Sequence, residues 1–452
     1  MRSIPRLCVA LTIVCGTLPG RHSVCAEEGW TGFRGRHADG VVRETDLPLH
    51  WGEGRNIAWR IELPGGGWSQ PVVRGGRVFV TCAVPAGEDK ATPIDAGLAG
   101  VFNAANRGEK SSGEYLFKLI ALDAQTGRID WDRTVRRGVP RLPKHRSNTF
   151  ASETPAAEGN KLVVSFGPNA LACFDIEGEL VWERDPVVFP MQMGWGTGSS
   201  PVIYGDRVFI LCDNDQESFL SALDLTTGAE LWRMKRDEKS NWSTPYLWRN
   251  PARTELVVAG GTAMRSYDPK TGELLWEMKA SGRAAMSPVG AAGFVCVDSA
   301  DRLTGGRGIL AAVRVGAKGA ITIPKTQEED SAVAWSLPLN AYRVASPLLY
   351  NDCLYLLEQG SGVIRCVDAK TGKLHYQKRL PQSVGTYASP LGAAGRVYCL
   401  DQKGLMAVLR SGPEFEILAS NQLEDGMFGA SAAVAGDRLL LRGSRHLYCI
   451  SR

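Results

Sequence analysis

One pattern recurs along this chain: a short apolar run, an Asp, two or three turn residues, a Gly, and an aromatic residue four positions later. Clear copies run from Leu119 to Trp131, Leu220 to Trp232, Met264 to Trp276 and Val363 to Tyr376. Leu171 to Trp182 is one residue shorter in its turn, and Ile309 to Trp335 is an enlarged, degraded copy. A period of roughly 40–60 residues means a repeat architecture of like units, because one unit alone cannot bury its apolar face.

A second marker keeps the same beat. Ser-Pro or a close relative precedes each first apolar run, at Pro71, Pro155, Pro201, Pro245, Pro288, Pro347 and Pro390, with a degenerate member ending at Ala433. That spacing predicts eight units. The aromatic series also reaches eight: Trp59, Trp131, Trp182, Trp232, Trp276, Trp335, Tyr376, and Ile417 as a worn member.

Each unit reads as four short strands, since apolar and β-branched runs alternate with Gly/Asp turns and no stretch sustains a helical period. In the D-x-x-T-G element the Asp carboxylate caps its own turn, the Gly takes a positive φ, and the aromatic falls on the last strand. The predicted fold is all-β, an eight-bladed β-propeller of four-stranded antiparallel blades. Trp59 sits in a lone last strand whose three partners lie in Ala430 to Ile450. The N-terminal strand is therefore expected to join the C-terminal blade and close the ring without a bare edge.

The element A-x-D-x-x-T-G-x-x-x-W with eightfold repetition resembles the tryptophan-docking blades of the pyrroloquinoline quinone (PQQ) repeat propellers, over Trp30 to Arg452. That family includes quinoprotein dehydrogenases and quinone-free scaffolds of the BamB type. The resemblance implies the fold, and it implies docking roles for Trp59, Trp131, Trp182, Trp232, Trp276, Trp335 and Tyr376. Large aromatics at one place per blade pack each sheet on the next.

Residues 1–26 carry Arg2 and Arg6, an apolar run from Leu7 to Leu18, and Val24-Cys25-Ala26, which reads as a signal peptide. The expected mature domain is 27–452, exported to the periplasm or secreted. The segment's arginines leave 49 basic against 48 acidic residues, so nothing in the charge points to nucleic acid, and no later segment is apolar enough for a membrane span. A monomer is expected. Eight cysteines remain, and Cys173, Cys366 and Cys449 share the slot of Ala121, Ala222 and Ser266, which reads as buried free thiols. Cys353 and Cys366, on neighbouring strands, are the pair most open to bridging.

Dehydrogenases of the family imply a floor aromatic, a calcium ion held by Glu, Asn and Asp, an Asp base and often adjacent bridged cysteines. This chain has no Cys-Cys pair and no C-x-x-C-H haem site. Inner strands line a propeller channel and function gathers at its mouths. The cofactor-binding candidates there are Trp195, Asp213, Asn214, Asp215, Glu358 and Asp401. Asp213 and Asp215 are calcium candidates, two carboxylates being few for an ion that takes six to eight oxygens. Trp195 stands in a Gly-rich stretch that admits close backbone approach to a ligand. An insertion from Pro85 to Gly113 is a candidate lid or partner-docking loop, a basic loop from Gly138 to Phe150 is a candidate contact for an anionic ligand or partner, and the histidines show no metal-ligand spacing.

Two functions fit. The first is a non-catalytic binding or scaffold module for protein or polysaccharide partners, with no cofactor. The second is a PQQ- and calcium-dependent dehydrogenase of alcohols or sugars.

Overall fold

The computed structural model describes residues 29–43, 45–87, 107–279, 285–299, 308–324, 331–339 and 344–452. The predicted signal peptide and most of the Pro85–Gly113 insertion lie outside them. Eight small sheets form an eight-bladed β-propeller, blades 1 to 7 spanning 72–138, 156–184, 202–236, 246–279, 289–339, 348–379 and 391–422. Blade 8 spans 433–450 and takes Ile57–Glu62 as its outermost strand, with Trp59 opposite Cys449. The ring closes as the sequence requires.

Two blades depart from four antiparallel strands. Val41–Val42 adds in parallel to the inner strand of blade 7, and Gly319–Ile321, part of the enlarged blade-5 copy, adds in parallel to the outer strand of blade 4. The latter covers an edge that would otherwise be free to pair.

The turn chemistry follows the repeated element. Asp123 Oδ1 accepts the backbone N–H of Gln125 at 3.1 Å and of Thr126 at 2.8 Å, and the Thr126 hydroxyl at 2.7 Å. Asp224 and Asp368 repeat the arrangement. The hydroxyls of Thr126, Thr227 and Thr371 are the main reason these three carboxyls lie below the usual range.

The repeated Gly and the repeated aromatic meet across blades. Trp59, Trp131, Trp182, Trp232 and Trp335 lie against Gly127, Gly178, Gly228, Gly272 and Gly372 of the following blade. A Cβ built on any of these glycines would come within 2.6 to 2.9 Å of the ring. Trp276 instead donates to Glu255 Oε2 at 2.7 Å, and Tyr376 meets Phe415 edge-on at 5.4 Å. In blade 7 the register corrects the sequence reading. Third-strand residues opposite the docking aromatics, such as Ala121 opposite Trp131, correspond to Val408, whose partner is Ala419. Ile417 takes the place of Ile129, two residues earlier, so the worn member is Ala419.

The Ser-Pro marker also acquires a role. The backbone N–H of the residue before each proline slot bonds the hydroxyl at the same place in the next blade. The series runs from Gln70 to Thr154 (3.0 Å), Ser200 (3.0 Å), Thr244 (3.1 Å), Ser287 (2.9 Å), Ser346 (3.0 Å), Ser389 (3.0 Å) and Ser431 (2.9 Å). Gln70 Nε2 completes the belt by donating to Ala432 O at 2.5 Å. Ser431 thus holds the hydroxyl slot and Ala432 the proline slot, one residue before the Ala433 inferred from spacing. Ala433 already begins the strand.

The stretch 30–42 crosses the inner strands. Val73 N donates to Trp30 O at 2.8 Å, Ala157 N to Thr31 O at 2.7 Å, and Gly392 N to Gly40 O at 2.9 Å. Arg34, buried, donates to Pro347 O at 2.5 Å, and its N–H meets Gln70 Oε1 at 2.7 Å. Burial pushes the Arg34 pKa down to about 10. These bonds join blades 1 and 2 to blades 6 and 7, across one end of the channel.

All eight cysteines of the described residues are free, seven of them buried. Cys173, Cys366 and Cys449 face the docking aromatics Trp182, Tyr376 and Trp59 in the ladder, where a small side chain is required. Cys353 pairs with Asp368 in register, and Cys366 with Tyr355.

Candidate functional site at the channel mouth

The channel opens into a cavity of about 240 Å³, with Phe33 of the crossing stretch in its lining. Two positions of the repeat line it. The inner ring is the belt of Gln70, Thr154, Ser200, Thr244, Ser287, Ser389 and Ser431. The outer ring stands two residues earlier in each blade: Trp68, Ser152, Gly198, Trp242, Ala285, Val344, Tyr387 and Gly429. The hydroxyls of the belt each accept one N–H and retain their own O–H. The outer ring is uneven, with aromatic residues on blades 1, 4 and 7 and small ones between.

Two inter-blade loops raise the wall on one side. His145 and Asn148 come from the basic loop after blade 1, and Trp195 and Thr197 from the loop after blade 2. They are knitted together: Asn148 Nδ2 donates to Trp195 O at 2.9 Å and Thr197 O at 3.1 Å, and His145 N donates to Trp195 O at 3.3 Å. Trp195 lies 5.8 Å from Trp242 between ring centroids and 6.0 Å from His145. Trp242 Nε1 donates to Gly196 O at 2.7 Å, and Trp68 Nε1 to Ser147 O at 2.9 Å. Both indoles are thereby fixed in orientation. Met193, at φ 50, and Gly194 and Gly196, also at positive φ, give the second loop its shape.

The structure separates the residues singled out by sequence. Trp195 faces the cavity, as does Gln359. Asp213 is buried and bidentate to Arg236, at 2.8 and 3.0 Å, with Asn241 Nδ2 donating to it at 3.1 Å. Burial opposes the charge on Arg236, but Asp213 and Tyr267 outweigh it and push its pKa up. Asn214 Oδ1 caps its own turn at Gln216 and Glu217. Asp215 Oδ1 accepts the Ser240 hydroxyl at 2.8 Å. Glu358 accepts Ser361 at 2.8 Å and pairs with Arg365 at 3.3 Å. Asp401 accepts the N–H groups of Lys403, Leu405 and Val384. These acids hold loops together and do not converge. No group of three or more His, Cys, Asp or Glu suited to a metal ion occurs among the described residues.

Sequence reasoning missed Glu153. It lies behind the channel wall, buried, in a second cavity of about 170 Å³ that shares Thr197 and Ser200 with the first. Burial raises its pKa to about 7 against a hydrogen bond from Thr197, and its Oε1 has no partner. Its position one residue before the belt was the available signal, because that slot is otherwise uncharged in the sister blades. The basic loop singled out by sequence contributes His145, Ser147 and Asn148 to the cavity, while its Arg141 and Lys144 are engaged elsewhere. Arg141 is tied to Pro168 O and Pro186 O at 3.2 Å, and Lys144 lies over the Phe150 ring.

The blade chemistry and closed ring define a PQQ-repeat propeller. The chain belongs to the family described as outer membrane protein assembly factor BamB, whose profile matches residues 52–215 and 216–312, more than half its length. A curated relative, the outer membrane protein assembly factor BamB of Burkholderia pseudomallei (strain K96243), is 27% identical over 206 residues, 42% of this chain. The match spans about half the length of that relative. Among solved structures, a europium-containing methanol dehydrogenase superposes with a TM-score of 0.61 at 11% identity, covering 94% of this chain and 98% of its own. The quinohemoprotein alcohol dehydrogenase from Comamonas testosteroni gives 0.60 at 11% identity, covering 94% and 81%. At that identity the likeness is one of fold. No helix among the described residues is long and apolar enough to cross a membrane.

Proposed function

We propose that this chain is an exported, monomeric binding propeller without catalytic activity of its own, a scaffold for a protein or polysaccharide partner in the periplasm or outside the cell. One observation carries the reading: none of the described residues lining the channel mouth is an Asp or Glu. A calcium ion takes six to eight oxygens, carboxylates prominent among them. Oxidation of an alcohol also needs a base within hydrogen-bond reach of the hydroxyl. Asp213, Asp215, Glu358 and Asp401 give their oxygens to Arg236, Ser240, Ser361 and backbone N–H groups. The donors present do not fit a PQQ–calcium centre. Relationship to a protein named as an assembly factor supports a partner-holding role.

The competing reading is a PQQ- and calcium-dependent dehydrogenase. A dye-reduction assay of the mature chain with PQQ, Ca²⁺ and a panel of alcohols and sugars separates the two. The binding reading expects no turnover above the protein-free control, and turnover lost on boiling would overturn it.

A further inference from the structure

The channel mouth has the chemistry of a particular ligand class. Its described lining holds no Asp, Glu, Lys or Arg. Its one imidazole, His145, is held toward the neutral form by burial and by Arg146 and Lys144. A charged ligand entering here would lose hydration without a counter-charge in the described wall. What the wall offers instead is aromatic faces beside uncharged hydrogen-bonding groups.

We infer that this mouth binds a neutral saccharide, one pyranose ring lying against Trp195 and Trp242. A pyranose has an apolar face of C–H bonds and a rim of hydroxyls. The negative face of an indole attracts those polarised C–H groups, and the belt hydroxyls with Gln359 answer the rim. Gln359 makes no side-chain hydrogen bond among the described residues, and the belt hydroxyls keep their O–H protons. The platform is set in advance, because Trp242 Nε1 is bound to Gly196 O and Asn148 ties the Trp195 backbone. Less ordering entropy is lost on binding as a result. Gly198 lies beside Trp242, where a Cβ would sit 3.6 Å from its Cδ1. This inference rests on the binding-module reading and names its ligand.

The test is calorimetry and tryptophan fluorescence on the full chain with an array of neutral oligosaccharides, including cellobiose, maltose and xylobiose. Glucuronic acid, and PQQ with Ca²⁺, are run alongside. The account expects saturable binding of at least one neutral saccharide. Trp242→Ala should weaken it about tenfold, or about 1.4 kcal/mol, while Trp242→Phe, which keeps an aromatic face, stays within about threefold of the parent. Leu374→Ser, on the exposed outer strand of blade 6, should bind as the parent does. Failure of every neutral saccharide, preference for glucuronic acid, or parental affinity in both Trp242→Ala and Trp195→Ala overturns the inference. Failure of the saccharides without turnover on PQQ removes this inference alone. Turnover on PQQ removes the binding-module reading with it.

Discussion

The indole of Trp182, on the last strand of blade 2, lies so close to Gly228 in the next blade that a Cβ on the glycine would sit 2.7 Å from the ring. Trp182 Nε1 meanwhile donates to Leu225 O, three residues before that glycine, at 2.9 Å. One turn thus offers both a flat surface and an acceptor to its neighbour. The Gly of the repeat serves two ends: it takes φ +71 inside its own hairpin and admits the aromatic of the preceding blade.

Gly228→Ala should therefore cost more than backbone strain. Adding a left-handed penalty of about 1 kcal/mol to an overpacking cost of about 1–3 kcal/mol, urea unfolding should show a loss of about 2–4 kcal/mol. Gly205→Ala, at φ +61 with open space around it, should lose only about 1 kcal/mol. Equal losses would refute the docking role of Gly228.

The hydroxyl belt makes a second, separable claim. Ser346→Ala leaves the buried Ser287 N–H without its acceptor, at a cost of about 1–3 kcal/mol. Ser346→Thr should stay near parental stability, since Thr154 and Thr244 already serve in the belt. Thermal melting of the two variants decides it.

Removing one charge from the Asp213–Arg236 pair should be severe. Asp213→Asn strands the buried guanidinium of Arg236, left with the Tyr267 hydroxyl as acceptor, a change worth about 3–5 kcal/mol. Were Asp213 instead a calcium ligand, the same substitution would make stability less sensitive to chelator. Here, EDTA should not alter the melting temperature of parent or variant.

Glu153 gives a pH signature. Its folded pKa of about 7 exceeds the ordinary 4.5, so the folded state binds more protons between those values and stability must fall as pH rises through that window. The penalty is complete above about pH 7, where it reaches about 3 kcal/mol. Glu153→Gln abolishes it. The stability difference between variant and parent should grow from pH 4.5 to pH 7 and then level off, as measured by urea unfolding at each pH. A difference independent of pH would contradict the burial of this carboxyl.

The fold was legible in the sequence because its determinants are local. Asp123 caps a turn two and three residues away, and the docking glycines and tryptophans recur at fixed spacing, so counting them counts the blades. Slips came where spacing alone gave the register, at Ile417 and Ala433, because a bulge or a missing proline shifts pairing by one or two residues. The site was harder. Trp195 stood out by its Gly-rich surroundings, but Trp68, Trp242 and Tyr387, which line the same cavity, come from separate blades and meet only when the ring closes. Loop acids such as Asp213 look alike in sequence whether they face solvent, a metal or a buried arginine. Only the packing of Arg236 beneath it distinguishes them.

The most direct test of the central claim is a calorimetric titration of the purified protein with PQQ in the presence of Ca²⁺. The account predicts no saturable heat, since the described mouth offers neither carboxylate for the ion nor cation for the quinone. One-to-one binding at micromolar affinity or tighter would contradict it and make this propeller a quinoprotein.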